Sequence, residues 1–422
     1  MSTHSVFKII PTAQQYDWGK IGTSSKVAQF ASASKIPGFT LDESAPYAEL
    51  WMGTHPKSPS LVLESKAVLS QHLAAHPELI GKPVANRFHT SDGNLPFLFK
   101  VLAIEKALSI QTHPDKKTAE ILFTEQPHIY KDANHKPEMA LALTPFSALC
   151  GFLPLDQIAT YLRATGEFTT IIPTSIVSDF LAAAESADPS GPVAKAALKN
   201  LFAALMTADT PTIERQLDAL VKRYTEGGLK EGESKDIVDL VLRLNSQFPG
   251  DIGIFCAFLL NYVHLKPGEA IFLGAGEPHA YISGDIMECM ANSDNVIRAG
   301  LTPKLRDIPN LVAGLTYEAA PPSKHVVTPA PFHTAGSTLY DPPIPEFSVV
   351  QAVVGAGATE THPAVAGPSI AIVTEGAGTV NWAGGSKLDV SQGEVFFIGA
   401  DLETSFSSAS GLTVYRAFVE AN

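Results

Sequence analysis

The sequence predicts a mainly β fold interrupted by a helical insert, and three observations carry that reading. Short apolar runs separated by Gly, Pro and Asp clusters dominate residues 1–152, a helical period takes over across 153–252, and strand patterning then returns to the end of the chain. The expected division is therefore a discontinuous β unit (1–152 with 253–320), an α-helical insert (153–252) and a second β unit (321–422). At 422 residues there is room for a separate core in each.

In the first unit, residues 96–105 (PFLFKVLAIE) and 108–114 (LSIQTHP) read as strands. In the insert, Thr210 followed by Pro211 marks a helix start, with Thr210 as the cap. Ile213, Leu217, Leu220, Val221 and Tyr224 then recur at i, i+4, i+7, i+8 and i+11 along one face. Ser234 stands the same way ahead of Ile237, Leu240, Val241 and Leu244. The insert is read as scaffold without chemistry. Strand character resumes at 265–284, and a Pro-rich connector at 319–332 leads into the last β segment.

An internal repeat links the two β units. Residues 268–281 (GEAIFLGAGEPHAY) align without gaps on 393–406 (GEVFFIGADLETSF), each giving Gly-Glu, an apolar strand, Gly-Ala and a second strand. His279 in the first copy is Thr404 in the second. The pattern G-[DE]-x(4)-G…H resembles the second conserved motif of the cupin barrels, small jelly rolls closed around a metal. Two cupin (jelly-roll) β-barrels are thus expected, the second metal-free.

Bulk properties exclude several functions. The net charge of −13 argues against nucleic acid or an anionic membrane as partner. Cys150, Cys256 and Cys289 form no metal-finger or disulfide spacing and read as reduced core thiols. The start of the chain lacks the apolar stretch of a signal peptide, and the most apolar run, 252–263, is too short to span a bilayer. A cytoplasmic monomer acting on a small molecule is expected.

The chemistry concentrates on a few strand faces. Side chains at i and i+2 point the same way, so Ser109, Gln111 and His113 share one face, as do Lys136 with Glu138 and His279 with Tyr281. Cupins place an H-x-H pair, a Glu and a final His around the metal; here Gln111 and His113, Glu138 and His279 stand in those places. Two imidazoles, a carboxylate and an amide oxygen suit Zn²⁺, and Mn²⁺ or Fe²⁺ would tolerate them. His55 sits in the same Thr-His-Pro tripeptide as His113, so the tripeptide alone identifies no ligand.

Six segments resemble type I phosphomannose isomerases: 16–19 (YDWG), 48–60 (AELWMGTHPKSPS), 95–102 (LPFLFKVL), 108–116 (LSIQTHPDK), 134–139 (NHKPEM) and 274–304 (GAGEPHAYISGDIMECMANSDNVIRAGLTPK). The resemblance implies interconversion of mannose 6-phosphate and fructose 6-phosphate with one zinc per chain, a step feeding activated-mannose (GDP-mannose) synthesis. It places the ligands on Gln111, His113, Glu138 and His279 and the active-site arginine on Arg298. Such an isomerisation passes through a cis-enediol, whose developing oxyanion needs stabilising charge. Glu288 is the preferred proton-transfer base, with Lys136 and His135 as the other candidates. Lys100, Ser109, Lys136, Arg298 and Lys304 are candidates for the phosphate, Asp294 is a second carboxylate in the motif of Glu288 and a candidate substrate contact, and Trp18 and Tyr281 either wall the sugar or pack the barrel mouth. The alternatives are another metal cupin, an epimerase or oxygenase, and a non-catalytic sugar-phosphate-binding cupin.

Overall fold

Strands that read as unbroken apolar runs must be buried on both faces, and here each barrel offers two apolar surroundings. The computed structural model describes residues 5–186 and 188–421. The strands that position the site begin with β1 (Val6–Ile10), β2 (Glu49–Met52), β3 (Phe97–Ile104), β4 (Ile110–Thr112), β5 (Glu138–Ala142) and β6 (Phe146–Phe152). After the helices follow β7 (Leu260–Leu265), β8 (Ala270–Leu273), β9 (His279–Ala291) and β10 (Ile297–Gly300). The last part holds β11 (Thr334–Tyr340), β12 (Ser348–Val354), β13 (Ala358–His362), β14 (Ser369–Trp382), β15 (Val395–Ile398), β16 (Thr404–Ser408) and β17 (Leu412–Phe418).

Alternation along β3 decides what each side chain meets. Phe97, Phe99, Val101 and Ala103 pack with Met287 and Cys289 of β9 into a core shared with Ile370, Ile372, Phe397, Tyr415 and Ala417 of the other barrel. Leu102 and Ile104 turn inward against Ala140, Ala142 and Ile286. The second barrel likewise encloses Ala371, Val373, Phe396, Ile398, Phe406 and Val414. Each fully buried large apolar side chain in such a layer contributes about 1.5–3 kcal/mol, so the shared core joins the barrels firmly.

Strand β9 belongs to both sheets of the first barrel. Its start pairs with β6 (Cys150↔His279) and β4 (Gln111↔His279), and its second half pairs with β3 and β5. Gly284 makes the corner between them at φ +117°, where a Cβ would lie 2.6 Å from the Pro145 carbonyl oxygen. The sequence repeat is also a structural one. β8 and β15 occupy the same offsets, Gly268 and Gly393 both turn the chain at positive φ (86° and 83°), and β9 and β16 start at the aligned positions His279 and Thr404.

Some elements differ from the sequence reading. Residues 5–152 also contain helices, at Lys26–Ala33, Leu69–Ala75, Lys82–Phe88 and Lys116–Glu125. These are too short to print a clear period, although Ser25 and Asp115 cap two of them by accepting the Ala28 and Thr118 N–H groups. Strand β1 joins the second barrel, pairing Val6↔Ile398 through Ile9↔Val395, and Phe7 stacks on Phe397. In the insert, the cap of the Thr210–Thr225 helix is Asp209, one residue earlier than Thr210. Its carboxylate accepts the Thr212 N–H at 2.9 Å. Ser234 does cap the Lys235–Gln247 helix. Ile252–Phe258 is a buried 3₁₀ helix that leads into β7. All three cysteines are free and buried, and among the described residues no helix is long and apolar enough to cross a membrane.

Candidate metal centre and active site

Three buried side chains converge at one end of the first barrel. His113 follows β4, Glu138 opens β5 and His279 opens β9, and their ligand atoms lie within 4.8 Å of one another. The registers explain the meeting: His279 stands opposite Gln111, while Glu138 stands opposite both Leu273 and Met290.

The imidazoles are held in a single tautomer. His113 Nδ1 donates to the Asn295 carbonyl at 2.7 Å, and His279 Nδ1 donates to the Glu277 carbonyl at 3.0 Å. A carbonyl can only accept, so each Nδ1 carries the proton and each Nε2 presents a lone pair. Both Nε2 atoms are buried without a hydrogen-bond partner, 3.3 and 3.4 Å from the two oxygens of Glu138. Lone pairs facing a carboxylate repel one another unless a cation lies between them, so this donor set fits a divalent metal. Charge reinforces the arrangement. Burial depresses the His113 imidazole to about 4, against the pull of Glu138. Burial alone would raise Glu138, but Lys136 and the imidazoles hold its carboxyl well below the usual range.

Glu138 of the cluster opens onto a cavity of about 550 Å³, a volume suited to a small organic ligand, while His113 and His279 lie behind its lining. Its lining includes Trp18, Lys100, Ser109, Gln111, Lys136, Glu138, Tyr281, Glu288, Arg298 and Lys304, all proposed from the sequence. Gln111 lies between His279 and Arg298 on the flanking strands. Lys136 Nζ reaches Glu138 Oε1 at 3.0 Å, although Lys136 stands in the loop before β5 and not on a strand face with it. Glu288, directly across the ladder from Lys100, pairs with it at 3.0 Å rather than with Arg298 or Lys304. Burial raises the Glu288 carboxyl although Lys100 opposes the shift, and Glu288 with Glu49 keeps Lys100 charged despite its burial. Arg298 faces the cavity with no carboxylate within ion-pair distance among the described residues, and burial lowers its pKa.

Other candidates are placed differently. His135 does not line the cavity, because its ring turns to Glu346 of the second barrel, 2.5 Å away. Asp294 is drawn off by Lys57 (3.0 Å) and His55 (3.5 Å), and these partners, His55 first, lower its carboxyl. His55 therefore faces Asp294 and is no part of the metal cluster. Tyr281 is buried and donates to Glu138 Oε2 at 3.2 Å, so it braces the cluster, whereas Trp18 stacks on Tyr16 at the cavity wall.

Sequence reasoning missed Glu49, Lys106 and Phe248 in the lining. Glu49 had a signal, since it shares a strand face with Trp51, whose indole donates to it. Phe248 had none: it follows the last helix of the insert, and Lys106 lies 4.4 Å over its ring. The insert thus contributes a wall of the cavity as well as scaffold.

The sequence matches the family models of the phosphomannose isomerase type I catalytic domain over residues 6–155, its helical insertion domain over 171–260 and its C-terminal part over 337–386. A mannose-6-phosphate isomerase from Cryptococcus neoformans is 51% identical over 99% of each chain. One from Saccharomyces cerevisiae is 45% identical over 100% of each. A zinc-bound crystal structure of mannose 6-phosphate isomerase is similar at a TM-score of 0.82 and 32% identity, covering 99% of this chain and 100% of that one. The apo form from Salmonella typhimurium gives a TM-score of 0.81 at the same identity and coverage.

Proposed function

We propose, from the premise that this chain belongs to the type I phosphomannose isomerase family, that it interconverts mannose 6-phosphate and fructose 6-phosphate with one zinc ion per chain. The observation that carries the proposal is a cation-seeking cluster whose Glu138 opens onto a cavity that also holds Arg298 and Lys304, neither in an ion pair among the described residues. His113, Glu138 and His279 would hold the zinc, with Gln111 as fourth ligand. When bound, the ion supplies Lewis-acid polarisation of the sugar carbonyl.

The chain's own residues do the rest. Glu288 is the base that takes the C2 proton of the open-chain aldose and returns it to C1, while the O2 hydroxyl proton passes to O1 through a cis-enediol. Its raised pKa keeps it closer to a working base than an exposed carboxylate would be. Lys100 orients it. Arg298 faces the anionic intermediate, and Lys304 with Ser109 takes the phosphate at the cavity wall. Trp18, Leu102, Leu108 and Phe248 limit the water that reaches the reacting carbons. We assign the protein to the cytoplasm, as a monomer feeding activated-mannose synthesis.

The test uses purified protein with mannose 6-phosphate in deuterated water, before and after chelation. Fructose 6-phosphate should form, with deuterium at C1 to the extent that Glu288 exchanges its proton before returning it. Activity should vanish on chelation and return with zinc. Unchanged turnover in fully metal-free protein would overturn the mechanism. Arg298→Ala should lower turnover about a hundredfold while zinc stays bound.

A further inference from the structure

Lys136 and Glu138 sit at the end of a loop, residues 131–137, that is tied down from two sides. On its own barrel's side, Ser293 Oγ donates to Asp132 Oδ1 (2.8 Å) and to the Asn134 carbonyl (3.1 Å). Asn295 Nδ2 donates to the carbonyls of Asp132 (2.7 Å) and Asn134 (3.0 Å). The Asn295 carbonyl is also the group that fixes His113, so these bonds link the loop to a metal-binding side chain. On the other side, the tie comes from the second barrel, where Glu346 Oε1 meets His135 Nε2 at 2.5 Å.

Glu346 is well placed to hold position. It lies in the connection between β11 and β12 (DPPIPEF, 341–347), where three prolines limit backbone freedom. The next residue, Phe347, is buried in the core shared by the two barrels, and Ile344 packs against that core. Met139, next to Glu138, is buried in the same core. Glu346 itself is only 8% exposed, and its Oε2 is buried without a partner. Holding a carboxylate there has a cost that one hydrogen bond only partly offsets. Among the described residues this is the only polar contact between residues 131–137 and the second barrel.

We infer that Glu346 is a positioning residue for the reaction: by gripping His135 it sets the loop that delivers Lys136 to the cavity and Glu138 to the metal. The inference rests on the isomerase reading for its rate effects and on the metal cluster alone for its binding effects. It gives the second barrel, which has no such metal cluster among its described residues, a part in the first barrel's chemistry.

The experiment compares holoenzyme with Glu346→Ala, Glu346→Gln, His135→Ala and the Glu346→Ala/His135→Ala double variant. Glu346→Ala should lower kcat about tenfold, the size found for outer partners of metal sites, with KM little changed. Zinc release to a chelator should quicken by a similar factor. Glu346→Gln, which keeps an acceptor for the imidazole N–H, should restore most of both. The double variant should lose no more than the worse single variant. A lowered melting temperature with unchanged kcat and zinc release in Glu346→Ala would overturn the inference. So would multiplicative losses in the double variant, or a folded Gln variant no better than Ala. Wild-type protein inactive on mannose 6-phosphate would remove the isomerase reading instead, and zinc release would still judge Glu346.

Discussion

The two barrels carry the same frame around different polar interiors. The repeat aligns Leu273 with Ile398, and the ladders then match residue for residue. Glu138 faces Leu273 and Met290, as Ser369 faces Ile398 and Phe418; Glu288 faces Ala140, as Arg416 faces Ala371. Gln111 opposite His279 becomes His362 opposite Thr404. The second barrel therefore has Ser where the metal carboxylate stands and Arg where the proposed base stands. Arg416 is fully buried, donates to Ser369 Oγ at 3.0 Å and approaches His362 Nδ1 at 3.3 Å. His362 Nε2 continues to Ser337 Oγ at 3.0 Å. A built-in guanidinium occupies the interior that the first barrel arranges for a metal, so the two copies share a scaffold and differ in the source of positive charge.

The largest test of this contrast is His279→Ala. Losing a ligand should abolish stoichiometric zinc and cost several kcal/mol of transition-state stabilisation, about a thousandfold or more in turnover. Retention of one zinc per chain, measured by elemental analysis, would place the metal elsewhere. The next effect is on acid stability. Burial, then Arg416, depresses the His362 imidazole to about 3, below its unfolded value of about 6.5. The unfolded chain thus binds the proton more readily, and the stabilisation present above pH 6.5 is lost as pH falls towards 3, on the order of 3 kcal/mol by pH 4. His113 has the same sign, but zinc should suppress its share. Melting temperature against pH at saturating zinc should fall steeply for the wild type and flatten in His362→Gln; equal slopes would refute the assignment. The smallest effect is expected from Thr404→His, which restores the aligned imidazole but no carboxylate and leaves Arg416 in place. It should bind no second zinc and cost about 1–2 kcal/mol through overpacking.

Much of this was legible because it is periodic or local. The helical stripe from Ile213 to Tyr224 is buried as read apart from half-buried Val221, and Lys136 lies beside Glu138 as expected, though from a loop. The His279/Thr404 contrast needed only the repeat. What escaped depends on contacts between distant residues. Nothing near Val6 announces its pairing with Ile398, and nothing around Phe248 says that the insert reaches the cavity. His135 and Asp294 sit in the right motifs, yet Glu346 and the His55–Lys57 pair turn them elsewhere. Adjacency in sequence could not separate His135 from Lys136, since both stand in the loop before β5, where no strand alternation applies.

Gly284 sets a length standard for the catalytic apparatus. His279 and Glu288 belong to one strand, and nine residues of straight strand would put them about 30 Å apart, far beyond the reach of a six-carbon sugar. The strand turns at Gly284, so His279, 3.4 Å from Glu138, and Glu288, which lines the same cavity as Glu138, reach one site from a single continuous segment. One residue added or removed between them would reverse the face of one relative to the other. Residues 279–288 should therefore be among the stretches of the chain least able to change length, whatever their tolerance of substitution.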